Sequence, residues 1–161
     1  MYDNEIICGT VREVEIRYKA VKDIQQGTRI SNSANLFAAF RERMISERVE
    51  IFQTVMLTSR NRVMAIETVA RGSLTSTVVH PRDVFAAPVR LQASAIICMH
   101  NHPGGDPSPS PEDRACTERL MKAGAILGIR VLDHIIIGFN DYFSFRDSGV
   151  MGTLKGVDAW E

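Results

Sequence analysis

The chain has 161 residues, of which 45% are hydrophobic and 24% are charged. This length predicts one domain with its own core, and this composition is typical of a folded globular protein and excludes a largely disordered chain. Because 19 basic side chains balance 19 acidic ones, the overall charge indicates neither a nucleic-acid-binding nor a membrane-binding protein, although a local basic patch is compatible with it.

The cysteines favour a reducing compartment. They stand at positions 8, 98 and 116, an odd number without a C-x-x-C pair. The sequence shows no signal-peptide pattern and no apolar stretch long enough to span a bilayer. We therefore expect a cytoplasmic protein.

The first part of the chain predicts a strand, a helix and a hairpin. Residues 11–18 alternate apolar with charged side chains, as in an edge strand, which is able to pair with a second copy of the chain. Possible N-caps at 31–33 precede apolar residues at helical spacing as far as Met44. The runs 50–57 and 63–69 are separated by a short polar turn, which predicts an antiparallel hairpin.

The middle of the chain predicts two helices on either side of a strand. The first helix has Pro81 near its start, and Pro88 should kink it or end it early. The apolar run 95–99 predicts a strand that leads into a loop rich in proline and glycine. An amphipathic helix follows from Pro111 to Ala123, with Gly124 as its stop.

The last part predicts a buried strand over 129–138, a hairpin partner over 142–145, and a partly mobile tail over 148–161. Strands that alternate with helices indicate an α/β fold, with a mixed sheet flanked by helices. The loop after the 95–99 strand should then lie at the carboxyl end of a central strand, where such sheets usually place their chemistry.

This loop and its borders have the composition of a metal site. At the end of a strand, His100 and His102 point to the same side because side chains alternate. Asp113, in the first turn of the next helix, adds an oxygen ligand. Three protein ligands and one water form an open site that suits catalysis. Cys98 shares the strand face and is either an extra ligand or, more commonly for a free cysteine, a small buried apolar residue.

A second interpretation applies to the same residues. Ser110 has the character of an N-cap, followed by proline at the first helical position and by Glu112 and Asp113 in the first turn. Asp106 lies in the turn, and the histidines could simply hydrogen-bond neighbours. The spacing favours a metal site and leaves the capping role open.

The spacing resembles the signature of a known enzyme family. His100-x-His102, seven residues, Ser110, two residues and Asp113 match the H-x-H-x7-S-x2-D pattern of the JAB/MPN metalloenzymes, also called JAMM. The resemblance implies a zinc site held by His100, His102 and Asp113, with Ser110 as a catalytic residue that stabilises the oxyanion.

The flanking segments 79–82 and 132–138 resemble the RadC subgroup of this family. Similarity begins at about residue 30 and implies a JAB/MPN RadC-like domain over 31–150, with the layers of a cytidine-deaminase-like fold. Residues 1–30 would then be an N-terminal strand and linker extension, and 151–161 a C-terminal tail.

The family also uses an upstream glutamate as general acid and base. Glu47, Glu50 and Glu67 are the candidates. RadC-like chains place Glu-x-Phe at the start of the first hairpin strand, which favours Glu50 as the catalytic residue. The alternative for Glu50 is an ordinary solvated acid at a strand end.

The resemblance implies a zinc-dependent hydrolase that cleaves peptide or isopeptide bonds in a peptide or protein conjugate. The alternative is a non-catalytic metal-binding module associated with DNA repair or mobile-element proteins. RadC proteins usually carry an N-terminal helix-hairpin-helix-like region for which this chain has no room, so a DNA association is only weakly supported. The string His100-Asn101-His102 also suggests an HNH nuclease, but these nucleases spread their residues over a hairpin and a helix, so we discount this class. A zinc deaminase is disfavoured because its H-x-E and P-C-x-x-C pattern is absent.

Three further polar residues lie in segments that resemble the subgroup. His80 and His134 are either extra ligands or substrate-binding groups, or they are hydrogen-bonded structural histidines, which is the commoner case. Arg82 suits either a substrate carboxylate or an ion pair with a neighbouring acid such as Asp83.

Overall fold

A computed structural model describes residues 19, 27–72 and 79–153. The strand predicted over 11–18 lies outside the described residues. The elements, in chain order, are α1 (Ser33–Ile45), β1 (Ile51–Leu57), β2 (Val63–Arg71), α2 (Pro81–Arg90), β3 (Ala95–Asn101), α3 (Pro111–Leu127), β4 (Arg130–Ile137), β5 (Tyr142–Ser144) and α4 (Val150–Thr153).

The strands form one mixed sheet in the order β2-β1-β3-β4-β5. β1 pairs antiparallel with both β2 and β3, β3 pairs parallel with β4, and β5 pairs antiparallel with β4. This confirms the predicted α/β class and the predicted hairpins. Since β3 occupies the middle position, the loop that follows it leaves the centre of the sheet at its carboxyl end, as expected.

Helices cover both faces of the sheet. On one face, α1 contributes Leu36, Phe40 and Met44 to a buried cluster with residues of the central strands. On the other face, Phe85 of α2 and Leu120 of α3 belong to a second cluster. Every residue of β1 and β3 is buried, because both of their faces are packed. The central strands therefore give the site after β3 a rigid support.

Two expected helix ends were wrong. α2 continues past Pro88 to Arg90, because the proline lies near the end of the helix, where its missing N–H costs a single intrahelical bond. α3 passes through Gly124 and ends at Gly128, which has a φ of 69°. Gly124 serves packing, since a Cβ there would lie 2.5 Å from the carbonyl oxygen of Ile129.

The tail prediction missed the short helix α4, which occupies Val150–Thr153. The later residues of the tail lie outside the described part of the chain. Among the described residues, no helix is both long and apolar enough to cross a membrane.

Candidate metal centre

The two histidines of the H-x-H pair lie at the end of β3. His100 is buried within the strand, and His102 follows its last residue. The N–H of His102 donates to the carbonyl oxygen of Ile137 at 3.0 Å, which holds it beside β4. The two Nε2 atoms lie 3.1 Å apart. The strand geometry thus brings both imidazoles to one point, as the spacing predicts.

The first turn of α3 brings Asp113 to the same point. Ser110 is the N-cap and forms a capping box with Asp113. The Oδ2 atom of Asp113 accepts from the Ser110 N–H at 2.8 Å and from its hydroxyl at 2.6 Å. Its Oδ1 atom lies 3.1 Å from His100 Nε2, and Oδ2 lies 3.6 Å from His102 Nε2. Capping and clustering coexist, because the cap aims the carboxylate at the histidines.

A buried chain of hydrogen bonds sets the tautomer of His100. Thr117 Oγ1 donates to the Asp113 carbonyl oxygen at 2.7 Å. With the hydroxyl proton assigned there, the oxygen accepts from Nδ1 of His134 at 2.6 Å. Nε2 of His134 then accepts from Nδ1 of His100 at 2.9 Å. His100 is left with an unprotonated Nε2 that faces the cluster.

His102 is oriented in the same way by the loop. Its Nδ1 donates to the carbonyl oxygen of Asp106 at 2.7 Å, which leaves Nε2 free to bind a metal. The side chain of Asp106 accepts from the Ser108 N–H, so this acid serves the turn, as expected.

The resulting donor set fits a divalent cation. Among the described residues, His100, His102 and Asp113 offer ligand atoms that all lie within 4.8 Å of one another. Two ring nitrogens and a carboxylate oxygen that converge on one point repel each other unless they share a cation, which is either a proton or a metal ion. Imidazole nitrogen and carboxylate oxygen are ligands of zinc, with a hydrogen-bonded second nitrogen on each histidine.

The charges around the cluster also favour a cation. The hydrogen bond to Asp113 raises the pKa of His102, and the charge of Glu50 adds to this effect. Partial burial opposes ionisation of Asp113, but the neighbouring imidazoles of His100 and His102 outweigh it and hold the pKa of this carboxyl well below its usual value. The Asp113 carboxyl therefore carries a negative charge at neutral pH, which a metal ion would offset.

The structure supports the structural alternative for His134. Its ring is buried, stacks on Phe145 with ring centroids 5.1 Å apart, and has both nitrogens hydrogen-bonded. Burial lowers the pKa of His134 well below its ordinary value, so the ring stays neutral. It supports His100 from behind.

The other three polar candidates lie outside the cluster. His80 is the N-cap of α2 and accepts from the N–H of Arg82 at 3.1 Å. The guanidinium of Arg82 lies 3.6 Å from exposed Asp83. Cys98 is fully buried among apolar residues of the second cluster, and burial raises the pKa of its thiol. His80 and Cys98 match the commoner of their two interpretations, and Arg82 matches its ion-pair interpretation.

The three candidate glutamates occupy different environments. Glu50 directly precedes β1, and the register of Phe52 opposite His100 places the start of β1 beside the end of β3. Glu47 forms two bonds with the Arg71 guanidinium, at 2.6 and 2.8 Å. Glu67 lies along β2, where burial raises its pKa and the charge of Arg90 opposes this rise. Of the three, Glu50 is the one whose charge raises the pKa of His102.

Sequence reasoning missed the residues that hold the site together. Thr117 stands one helical turn after Asp113, a spacing that could have indicated a shared contact. Asn101 lies between the two histidines, and its amide binds the backbone next to Glu50. Phe139 packs on Gly105 in the loop after β3, where an added Cβ would lie 2.4 Å from its ring.

Together, the mixed sheet and the His-His-Asp cluster at the end of its central strand define an α/β domain with a candidate metal site. Residues 30–150 match the RadC-like JAB domain family, and the chain belongs to this family. The resemblance seen in the sequence is thereby confirmed.

The curated relatives of this chain are named UPF0758 proteins. A UPF0758 protein from Trichlorobacter lovleyi is 50% identical over 123 residues, which are 76% of this chain and 54% of the relative. A UPF0758 protein from Syntrophotalea carbinolica is 47% identical over 128 residues, which are 80% of this chain and 56% of the relative. The chain thus spans about half the length of these relatives.

Proposed function

We propose that this chain is a zinc-dependent hydrolase that cleaves peptide or isopeptide bonds. The observation that carries the proposal is the convergence of His100 Nε2, His102 Nε2 and Asp113 at the end of β3, with the charge of Glu50 acting on the same point. Three protein ligands leave a position open for water or substrate, as catalytic zinc sites do. A structural zinc site is usually closed by a fourth protein ligand.

His100, His102 and Asp113 would hold the metal. Zinc in such a site lowers the pKa of a water molecule to about 7 and polarises a carbonyl group. The Glu50 carboxylate would accept a proton from the attacking water and return it to the leaving nitrogen. The Ser110 hydroxyl now donates to Asp113 Oδ2, so it would stabilise an oxyanion only after turning away from this carboxylate.

Support for the substrate class is chemical. A general base beside a carbonyl-polarising site suits an amide, so we propose a peptide or a protein conjugate as partner. The balanced charge of 19 basic and 19 acidic side chains gives no support to DNA as a substrate. Cys98 and Cys116 are free and buried, which is consistent with the proposed cytoplasmic location.

The test is a substrate panel with metal control. Zinc-loaded protein, chelator-treated protein and chelator-treated protein with zinc restored are each incubated with linear peptides, lysine isopeptide conjugates and DNA. We expect cleavage of an amide substrate, detected by mass spectrometry, that disappears with the chelator and returns with zinc. Zinc binding without cleavage of any amide substrate would favour a metal-binding module, and cleavage that survives the chelator would exclude the zinc mechanism.

A second prediction concerns the support of His100. Replacing His134 with phenylalanine removes the acceptor for Nδ1–H of His100, and loss of such a partner typically weakens metal binding by about 10- to 100-fold. We expect this loss in a competitive zinc titration. Thr117→Ser keeps the hydroxyl and is the matched control. A folded His134→Phe variant with wild-type zinc affinity would contradict the hydrogen-bond chain.

A further inference from the structure

The side chain of Asn101 hydrogen-bonds the backbone on both sides of Glu50. Its Oδ1 accepts from the Ile51 N–H at 2.7 Å, and its Nδ2 donates to the Val49 carbonyl oxygen at 3.1 Å. Asn101 is only 2% exposed, so water does not compete for these bonds. One amide therefore fixes the backbone on both sides of Glu50.

The backbone of Glu50 has a further anchor of its own. Its carbonyl oxygen accepts from the Gly72 N–H at 2.8 Å, at the end of β2. Bonds from β3 and from the end of β2 thus hold residues 49–51 between their neighbours. This segment cannot move relative to β3 or to the end of β2 without breaking these hydrogen bonds, and a buried polar group that loses its partner is costly.

Asn101 is also covalently joined to both histidines of the metal site. Because it lies between His100 and His102, any shift of the Glu50 backbone relative to these residues has to stretch the hydrogen bonds of the Asn101 side chain. The register that pairs Phe52 with His100 sets the same relation from the backbone. The distance between the proposed base and the proposed ligands is therefore defined over a very short path.

This pair of hydrogen bonds requires a side-chain amide. It needs one acceptor and one donor at the end of a short side chain, and asparagine supplies both. Aspartate would keep the acceptor for Ile51 but would turn a second oxygen toward the Val49 carbonyl. Leucine has a similar size and supplies neither bond.

We propose that Asn101 is a positioning residue that holds the Glu50 carboxylate at its working distance from the metal site. This inference rests on the proposed hydrolase function, in which Glu50 carries the proton. A misplacement of about 1 Å in such a group can cost about 100-fold in rate. The loop before β1 is also tied down by the bidentate pair of Glu47 with Arg71, so its fold does not depend on Asn101 alone.

The test compares Asn101→Leu and Asn101→Asp with wild type and with the control Asn140→Leu, in which an exposed turn residue is changed. Two readouts do not need activity. The Ile51 amide should exchange with solvent faster in Asn101→Leu. Its Glu50 carboxyl carbon, followed by 13C NMR, should respond less to added zinc than in wild type, while zinc affinity stays unchanged. Asn101→Asp should fall between the two.

The kinetic readout is a double-mutant cycle with Glu50→Gln. We expect Asn101→Leu to lower kcat by about 100-fold with little change in KM, and to have almost no further effect once Glu50 is glutamine. Equal losses in both backgrounds, a loss of zinc, or an unchanged Glu50 resonance would overturn the role of Asn101. A wild-type protein that cleaves nothing would overturn the hydrolase instead, and the two NMR readouts would still decide whether Asn101 positions Glu50.

Discussion

Replacing Glu50 with glutamine is expected to reduce hydrolysis by about 100- to 10,000-fold, the usual contribution of a general acid and base. Glutamine has nearly the same shape but cannot accept the proton of the attacking water. The backbone anchors of residues 49–51 do not involve this carboxylate, so the fold and zinc affinity should be retained. The measurement is the rate of amide cleavage by zinc-loaded protein, together with its zinc content.

Glu47→Gln is the matched control, since Glu47 lies three residues earlier in the same loop and is paired with Arg71. It should keep most of the activity and lose at most the small stability of an exposed ion pair. If Glu47→Gln were inactive and Glu50→Gln active, the base would have been assigned to the wrong residue. If Glu50→Gln retained full binding of a partner and the wild type showed no turnover, the domain would be a binding module.

The second large effect is expected for the proposed ligands. Changing Asp113 to asparagine removes the negative charge that faces Nε2 of His100 at 3.1 Å and Nε2 of His102 at 3.6 Å. Changing His102 to alanine removes a nitrogen donor. Either substitution should prevent the protein from retaining one equivalent of zinc after dialysis, as measured by elemental analysis, and should abolish hydrolysis with it.

Asp106→Asn tests whether any negative charge in the loop contributes to zinc retention, or only the charge of Asp113. Asp106 is an exposed acid in the same loop, and its contact with His102 is made by the backbone carbonyl oxygen, which the substitution leaves in place. This variant should retain zinc like the wild type. Zinc retained by Asp113→Asn and lost by Asp106→Asn would contradict the proposed ligand set.

The sequence predicted the elements of the fold because their signals are local. Two strand-like runs joined by a short polar turn predicted the hairpin of β1 with β2, and possible N-caps predicted the starts of α1 and α3. One error arose where packing overrides a local signal. Gly124 looks like a helix end but lies where Ile129 and Phe85 leave no room for a side chain.

The His-His-Asp cluster was equally local, because His100, His102 and Ser110 to Asp113 follow one another within a strand, a loop and a helical turn. Glu50 needed the family resemblance, since nothing in its own surroundings in the sequence marks it as a base. The support from His134 could not be read from the sequence, because it depends on the parallel register of β3 with β4, which pairs Cys98 with His134. The pair of hydrogen bonds from the Asn101 side chain likewise depends on the pairing of β1 with β3.

The most direct test of the central claim is X-ray absorption spectroscopy of the zinc-loaded protein. We predict one zinc per chain, bound by two imidazole nitrogens and by oxygen, with no sulfur, and with at least one ligand that exchanges with added small anions. Such a spectrum, lost in Asp113→Asn, would describe an open site held by His100, His102 and Asp113. A zinc–sulfur contact from Cys98 or Cys116, or a closed shell of protein ligands, would contradict it.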